Sequence, residues 1–171
     1  MKKSVYLLLA MVVLGAASAV AQPRAIGGNL GTDFGFSYQH GFGQSNMLDL
    51  SVNVPLIYGI GVGGKVTYDW IDPFNAPVPW DHKGEWHWYM GVGGGASVWF
   101  PYSNSESYAW WNVGAVGHIG IEYDFWFPLQ LSLDWRPQFG IGNYDYYGNG
   151  HKVNFDLAGI YGLSLGVRYK F

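Results

Sequence analysis

The side chains best suited to chemistry are a histidine, an acid and a serine in the C-terminal half of the chain. His118, Glu122 and Ser132 have the parity that would place them on the same side of neighbouring β-strands. A serine nucleophile, a histidine base and an orienting carboxylate within hydrogen-bond reach are what an acyl hydrolase needs. This hypothesis requires contact between the side chains of His118 and Ser132.

Other ligand-binding patterns are less specific. The histidines at 40, 82, 87, 118 and 151 lack zinc-ligand spacing, and the absence of cysteine excludes thiolate sites and disulfides. The aromatic, glycine-rich stretch 143–150 has the composition of a sugar- or partner-binding loop, although a solvated hairpin loop explains it more simply. Glycines at 27, 28 and 31 lack the strand-to-helix context of a nucleotide site. The sequence therefore predicts neither a cofactor nor a metal site.

The elements that must carry these residues alternate between large apolar and small polar side chains. In one segment Leu48, Leu50 and Val52 alternate with Asp49 and Ser51, and this two-residue period is typical of β-strands. Seven continuous segments follow the pattern: 25–40, 47–56, 59–71, 86–100, 109–125, 129–142 and 153–171. We therefore predict an all-β protein.

Charge supports this choice of faces. Eleven charged residues lie within the segments, and all of them fall on the small, polar row: Asp33, Asp49, Lys65, Asp69, Glu122, Asp124, Asp134, Arg136, Asp156, Arg168 and Lys170. In a soluble sandwich or lipocalin-like barrel the polar row would face water and be rich in Lys, Glu and Thr. Here it is rich in glycine, serine and asparagine, which suits the inside of a narrow barrel. The large row would then face lipid, with Trp70, Trp86, Trp88, Trp111 and Tyr169 in interfacial girdles.

Closure sets the number of strands. Because bacterial barrels contain an even number of strands and an open edge is costly in lipid, seven segments must become eight. We predict that the first segment folds into two strands, roughly 23–31 and 33–41, giving an antiparallel up-and-down barrel. With both termini in the periplasm, the turns at 41–46, 72–85 and 126–128 would be periplasmic. The proline-containing 72–85 segment is long for that side, and a shifted strand that reverses the middle of the chain is the alternative.

The N-terminus predicts export. Lys2 and Lys3 precede an apolar run, Val5 to Gly15, that is too short to span a membrane, and Ala19-Val20-Ala21 matches a small-x-small cleavage site. We predict a cleaved signal peptide at 1–21 and a mature barrel at 22–171; an uncleaved anchor helix is the alternative. Charged residues make up only 12% of the chain, fewer than the surface of a soluble domain this size needs. The negative formal charge does not favour nucleic-acid binding.

Four stretches carry a family resemblance. The sequences GAVGHIGIEYDFWFPLQLSLDWRPQFGIG, GLSLGVRYKF and RAIGGNLGTDFGFSYQHGFGQSNMLDLSV resemble small uncharacterised outer-membrane β-barrel proteins of Gram-negative bacteria, as does WHWYMGVGGG. The resemblance covers most of the mature chain and implies the fold and an outer-membrane location, but no chemistry. Barrel deacylases direct their catalytic residues towards lipid, and their His-x-Ser-Asn signature is absent here, which disfavours catalysis by His118.

The inward charges predict a structural network rather than an active site. Its members are Glu122, Asp124, Asp134, Arg136, Arg168 and Lys170. Buried ions are tolerated when they are paired and hydrogen-bonded. Arg136 is expected to have carboxylates on both neighbouring strands, so that its replacement by methionine would leave acidic charge unpaired.

The last strand adds a prediction about assembly. Leu165, Val167, Tyr169 and Phe171 resemble the C-terminal signal that the barrel-assembly machinery recognises, and they also form a lipid-facing row. The sequence predicts a monomeric, non-enzymatic barrel with a structural or interaction role, surrounded by outer-membrane lipid. A lipid-modifying acyl hydrolase and a narrow pore or carrier for small apolar compounds are the alternatives.

Overall fold

The fold is an antiparallel, closed β-barrel of eight strands, seen in a computed structural model that describes residues 21–55, 59–72, 83–101, 109–143, 153–156 and 161–171. The predicted cleavage region before residue 21 lies outside these residues, as does most of the 143–150 loop. The strand segments are β1 (Ala21–Gly31), β2 (Asp33–Phe42), β3 (Asn46–Pro55), β4 (Gly59–Ile71), β5 (Gly84–Pro101), β6 (Trp110–Phe125), β7 (Gln130–Trp135), β8 (Gln138–Gly142), β9 (Asn154–Asp156) and β10 (Leu163–Lys170). No described helix is long and apolar enough to cross a bilayer.

Ten segments form eight strands because two strands are interrupted. β7 and β8 both pair with β6 and are separated by Arg136 and Pro137, and proline cannot donate a ladder hydrogen bond. β9 pairs with β8 and β10 pairs with β7, so these two segments form the last strand. β10 then pairs with β1, which closes the ring. The predicted division of the first segment near Thr32 is confirmed, since β1 and β2 pair as a hairpin.

The two ends of the barrel differ in what they carry. Ala25 pairs with Lys170, so β1 begins and β10 ends at the same end of the barrel, which we call the terminal end. β4 ends and β5 begins at this same end. The middle strands therefore run in the predicted direction and not in the reversed arrangement that was the alternative. Gly43 has a φ of 73° in the β2–β3 turn at this end, a conformation that glycine adopts at little cost.

The apolar side chains point outwards around the described wall. Ile60, Val92 and Leu165 are each about 60% exposed, whereas Asp49, Asp69 and Asp134 on the opposite face are fully buried. Of the eleven charged residues assigned to the polar row, nine have described side chains, and these are buried or half-buried. The assignment of faces is thus confirmed wherever the structure describes the side chain.

Aromatic side chains surround the outside of the terminal end. Tyr68 contacts Trp70 and Phe42, Trp86 contacts Tyr123, and Tyr169 contacts Phe171, with ring centroids 4.9–6.3 Å apart. Trp126 in the β6–β7 turn is 71% exposed. At the far end, Phe34 and Phe100 are more than half exposed on the outer face. Aromatic rings are therefore present at both ends of the apolar wall.

Candidate functional site

The terminal half of the lumen is filled by a network of ion pairs. Arg136 donates from Nη1 to Asp49 Oδ1 at 3.0 Å and from Nη2 to Asp49 Oδ2 at 3.1 Å. Asp49 lies on β3, which is not a neighbour of β7 or β8, so this two-pronged pair crosses the lumen. Carboxylates were expected on the strands beside Arg136, but the carboxylate that it binds is Asp49 across the lumen; Asp134, on the same interrupted strand as Arg136, lies 3.8 Å from Nη2.

Arg168 donates hydrogen bonds to five other inward side chains, one of them Gln130 at 3.4 Å. Its guanidinium donates to Ser132 Oγ at 2.6 Å, to Ser37 Oγ at 3.0 Å and to Asn29 Oδ1 at 3.1 Å. It also donates to Asp134 Oδ2 at 3.3 Å. Arginine presents several donors in a rigid plane, and here that plane joins β1, β2, β7 and β10. The side chain is fully buried, so these bonds replace its hydration.

Two more ion pairs lie at the terminal mouth of the lumen. Lys170 donates to Asp124 at 3.2 Å, and Asp124 also accepts from Gln130. Glu122 is fully buried and is bound by Arg24, which also donates to Gln39 at 2.9 Å. All six residues predicted for the charge network therefore take part in it, and Asp49, Asp69 and Arg24 belong to it as well.

Arg24 was missed because its sequence parity points outwards. The register between β1 and β2 shifts between Pro23 and Ala25, and this bulge turns the Arg24 side chain into the lumen. A β-bulge inserts a residue and re-aims a side chain in this way. Pro23 was the available signal, because proline within a strand often marks a bulge.

The serine, histidine and acid do not assemble as an acyl hydrolase requires. His118 Nδ1 lies 2.9 Å from Asp69, and its Nε2 lies 3.2 Å from Asp134 and 3.1 Å from the donating Nε of Arg136. Ser132 instead donates to Asp134 at 2.8 Å. Both ring nitrogens are thus occupied by partners other than Ser132. Glu122 binds Arg24, so it does not orient the histidine.

A tyrosine that the sequence did not single out completes the network. Tyr89 is fully buried on β5, and its hydroxyl donates to Asp134. Its ring lies where a β-carbon at Gly120, its cross-strand partner, would otherwise be, and it contacts the ring of His118 edge-on. Glycine at this position therefore makes room for an aromatic ring that anchors the central carboxylate.

Uncharged side chains and glycines line much of the far half of the lumen. Ser97 donates to Asn112 at 2.7 Å, and Gln138 donates to Asn112 at 3.2 Å. At Gly114 and Gly140 in this half, and at Gly93 near the middle of β5, a β-carbon would collide with the backbone of the adjacent strand. The glycines therefore permit close strand approach in a tightly coiled wall, in addition to saving space in the lumen.

The remaining candidates carry no recognisable site. His40 lies on the outer face, and its Nδ1 bonds the Tyr38 hydroxyl at 2.9 Å. Among the described residues, no group of three histidines or acids could hold a metal ion. Comparison with family models, curated proteins and solved structures found no match. The resemblance to small outer-membrane barrels remains a prediction.

Proposed function

We propose that this chain is an integral outer-membrane β-barrel protein with a structural or interaction role and no enzymatic activity. The observation that carries the proposal is the inverted distribution of side chains: the described wall is apolar outside, while ion pairs and polar networks lie inside. In water such an exterior would be an aggregation liability, because large apolar patches are unusual on soluble monomers. In lipid it is the expected exterior, with aromatic residues at both interfaces.

The cross-lumen pairs favour a structural role over a pore. The side chains of Asp49, Arg136 and Arg168 have virtually no exposure, and their bonds link opposite sides of the wall. Because these contacts cross the lumen, a compound could pass through a narrow pore only if they separated. For an acyl hydrolase, neither ring nitrogen of His118 is directed at Ser132. The contacts of Arg136, Arg168 and His118 therefore disfavour both a pore and an acyl hydrolase.

Fractionation tests location. The full chain, expressed with residues 1–21 in a Gram-negative host, should appear in the outer-membrane fraction and run with different gel mobility before and after heating. A matched chain lacking 1–21 should remain in the cytoplasm. Recovery of the mature chain as a detergent-free, soluble periplasmic monomer would refute the proposal. A deletion strain with altered lipid acylation would favour the enzyme instead.

Assembly is expected to depend on the last residue. Deleting Phe171 should lower the amount of folded barrel in the outer membrane several-fold, if the row Leu165, Val167, Tyr169 and Phe171 is recognised during insertion. Phe139→Ala is the matched control, because Phe139 is also an outward aromatic residue but lies on β8. If both variants and the unaltered chain give equal amounts of folded barrel, the row is not an assembly signal and serves only as a lipid-facing surface.

A further inference from the structure

His118 lies inside the lumen between two buried carboxylates. Its Nδ1 is 2.9 Å from Asp69 Oδ1 on β4, and its Nε2 is 3.2 Å from Asp134 Oδ1 on β7. All three side chains are fully buried. A neutral imidazole carries a proton on one ring nitrogen only, whereas an imidazolium donates from both. Only the cationic ring can therefore bind both carboxylates at once.

Asp69 depends on this histidine for a counter-charge. Its other partner is the hydroxyl of Thr67, which donates to Oδ2 at 3.0 Å. Among the described residues, no arginine or lysine lies within ion-pair distance of Asp69. A buried carboxylate without a cation is costly, and a charged partner that donates to it reduces the cost. Within the described part of the chain, His118 is thus the side chain that can neutralise Asp69.

The charges around the ring add up in the same direction. The charged or titratable groups that face it are Asp69 on β4, Tyr89 on β5, Asp134 on β7 and Arg136 between β7 and β8. Tyr89 donates its hydroxyl proton to Asp134 and is uncharged. Ion pairs join this group to Asp49 and Arg168, so the cluster holds three carboxylates and two guanidinium groups, −3 against +2. A protonated His118 brings the sum to zero.

The ring also has a partner that suits its neutral form. Nε2 lies 3.1 Å from Nε of Arg136, which donates. A neutral ring with its proton on Nδ1 can accept this bond while it still donates to Asp69. Protonation turns Nε2 into a donor to Asp134, and Arg136 keeps its two bonds to Asp49 in both cases. The site therefore offers a different set of hydrogen bonds to each protonation state.

We infer that His118 is an imidazolium in the folded barrel and acts as a proton-dependent switch within the lumen. With the proton, the ring links β6 to the carboxylates of Asp69 and Asp134 on two other strands. Without it, Asp69 loses its cation, and Nε2 accepts from Arg136 instead of donating to Asp134. The inference depends on the interior of the barrel alone, so it is independent of the location of the protein.

Nitrogen NMR of the histidine rings tests the charge directly. The full barrel in detergent, with isotope-labelled histidine, should give imidazolium signals from both ring nitrogens of His118 at about pH 7.5. A histidine with the ordinary pKa of about 6.5 is mostly neutral at this pH. A neutral ring with a proton on Nδ1 alone would overturn the inference, whichever form Asp69 then takes. This measurement uses the unaltered chain, so it does not depend on whether substitutions fold.

Asp69→Asn should release the proton from the ring. The variant cluster would hold two carboxylates and two guanidinium groups, so a charged His118 would be in excess, and its signals should change to those of neutral imidazole at the same pH. Thr67→Val is the matched control, because it removes a hydrogen bond to Asp69 but no charge, and it should leave the imidazolium signals in place. A ring that stays charged in Asp69→Asn, or becomes neutral in Thr67→Val, would contradict the inference.

Unfolding at increasing pH tests the switch. Because the proton neutralises Asp69, stability should be greatest while the ring is charged and should fall as rising pH converts the His118 signals to the neutral form. Leaving one buried charge unpaired should lower the thermal midpoint by roughly 6–20 °C across that conversion. Asp69→Asn should not show this fall. An unchanged midpoint in the unaltered chain, or an equal fall in Asp69→Asn, would overturn the switch.

Discussion

Ionised side chains fill the terminal half of the lumen, whereas much of the far half is lined by glycines and uncharged side chains. In the terminal half, long side chains such as Arg136 reach across the lumen to the opposite wall. In the far half, Gly114 and Gly140 bring neighbouring strands close together, and Gln138 bonds Asn112 on the adjacent strand β6. One half is therefore joined mainly across the lumen, and the other mainly around the wall.

The difference implies unequal sensitivity to substitution. A buried ion pair stabilises only while both partners are present, because removal of one leaves an uncompensated charge. Close strand packing fails through steric overlap, which neighbouring atoms relieve in part. Damage to the cross-lumen pairs should therefore cost more than damage to the coiled wall. The following substitutions test that order.

Arg136→Met should give the largest loss. It leaves Asp49 without its two-pronged partner in a site that has almost no solvent exposure, and such a loss costs about 3–5 kcal/mol. Urea unfolding in detergent, followed by heat-dependent gel mobility, measures the change. The double variant Asp49→Asn with Arg136→Met should recover part of the loss. Unchanged heat resistance of the single variant would show that the pair does not hold the lumen together.

Gly93→Ala should have an intermediate effect. Its new β-carbon would overlap the backbone of Val66 and Thr67 on β4, and relief of such overlap costs about 1–3 kcal/mol. Gly94→Ala is the matched control, because it faces outwards with its nearest atom, the carbonyl oxygen of Gly114, 3.7 Å away. Its stability should lie within about 0.5 kcal/mol of the unaltered chain. Equal unfolding midpoints for both variants would refute the steric explanation.

The alternation of residues predicted the faces and, together with closure, the number of strands. A period of two fixes which side chains share a face, so Asp134, Arg168 and Lys170 were correctly placed inside. Parity cannot say which inward residues meet across a lumen, because that depends on strand tilt and barrel diameter. This is why the bond from Arg136 to Asp49 was not foreseen.

Local irregularities account for the other differences. The bulge at Pro23 reversed the parity of Arg24, and Arg136-Pro137 divided a segment that the alternation treated as continuous. The candidate triad failed for a different reason. His118 and Ser132 do face the same lumen, but they bind Asp69, Asp134 and the two arginines there rather than each other.

Lys170→Met should have the smallest effect of the three substitutions. It compares two ion pairs of the terminal half, one partly exposed to solvent and one buried. The Lys170 side chain is 32% exposed where it donates to Asp124 at the mouth of the lumen. Water and salt screen such a pair, so its loss should cost less than about 1 kcal/mol. Unfolding in urea at low and high salt should show a loss that shrinks as salt rises, whereas the loss from Arg136→Met should persist because that pair is buried. A salt-independent loss as large as that of Arg136→Met would mean that the stability of the network does not depend on burial, and that the whole terminal half acts as a single cooperative unit.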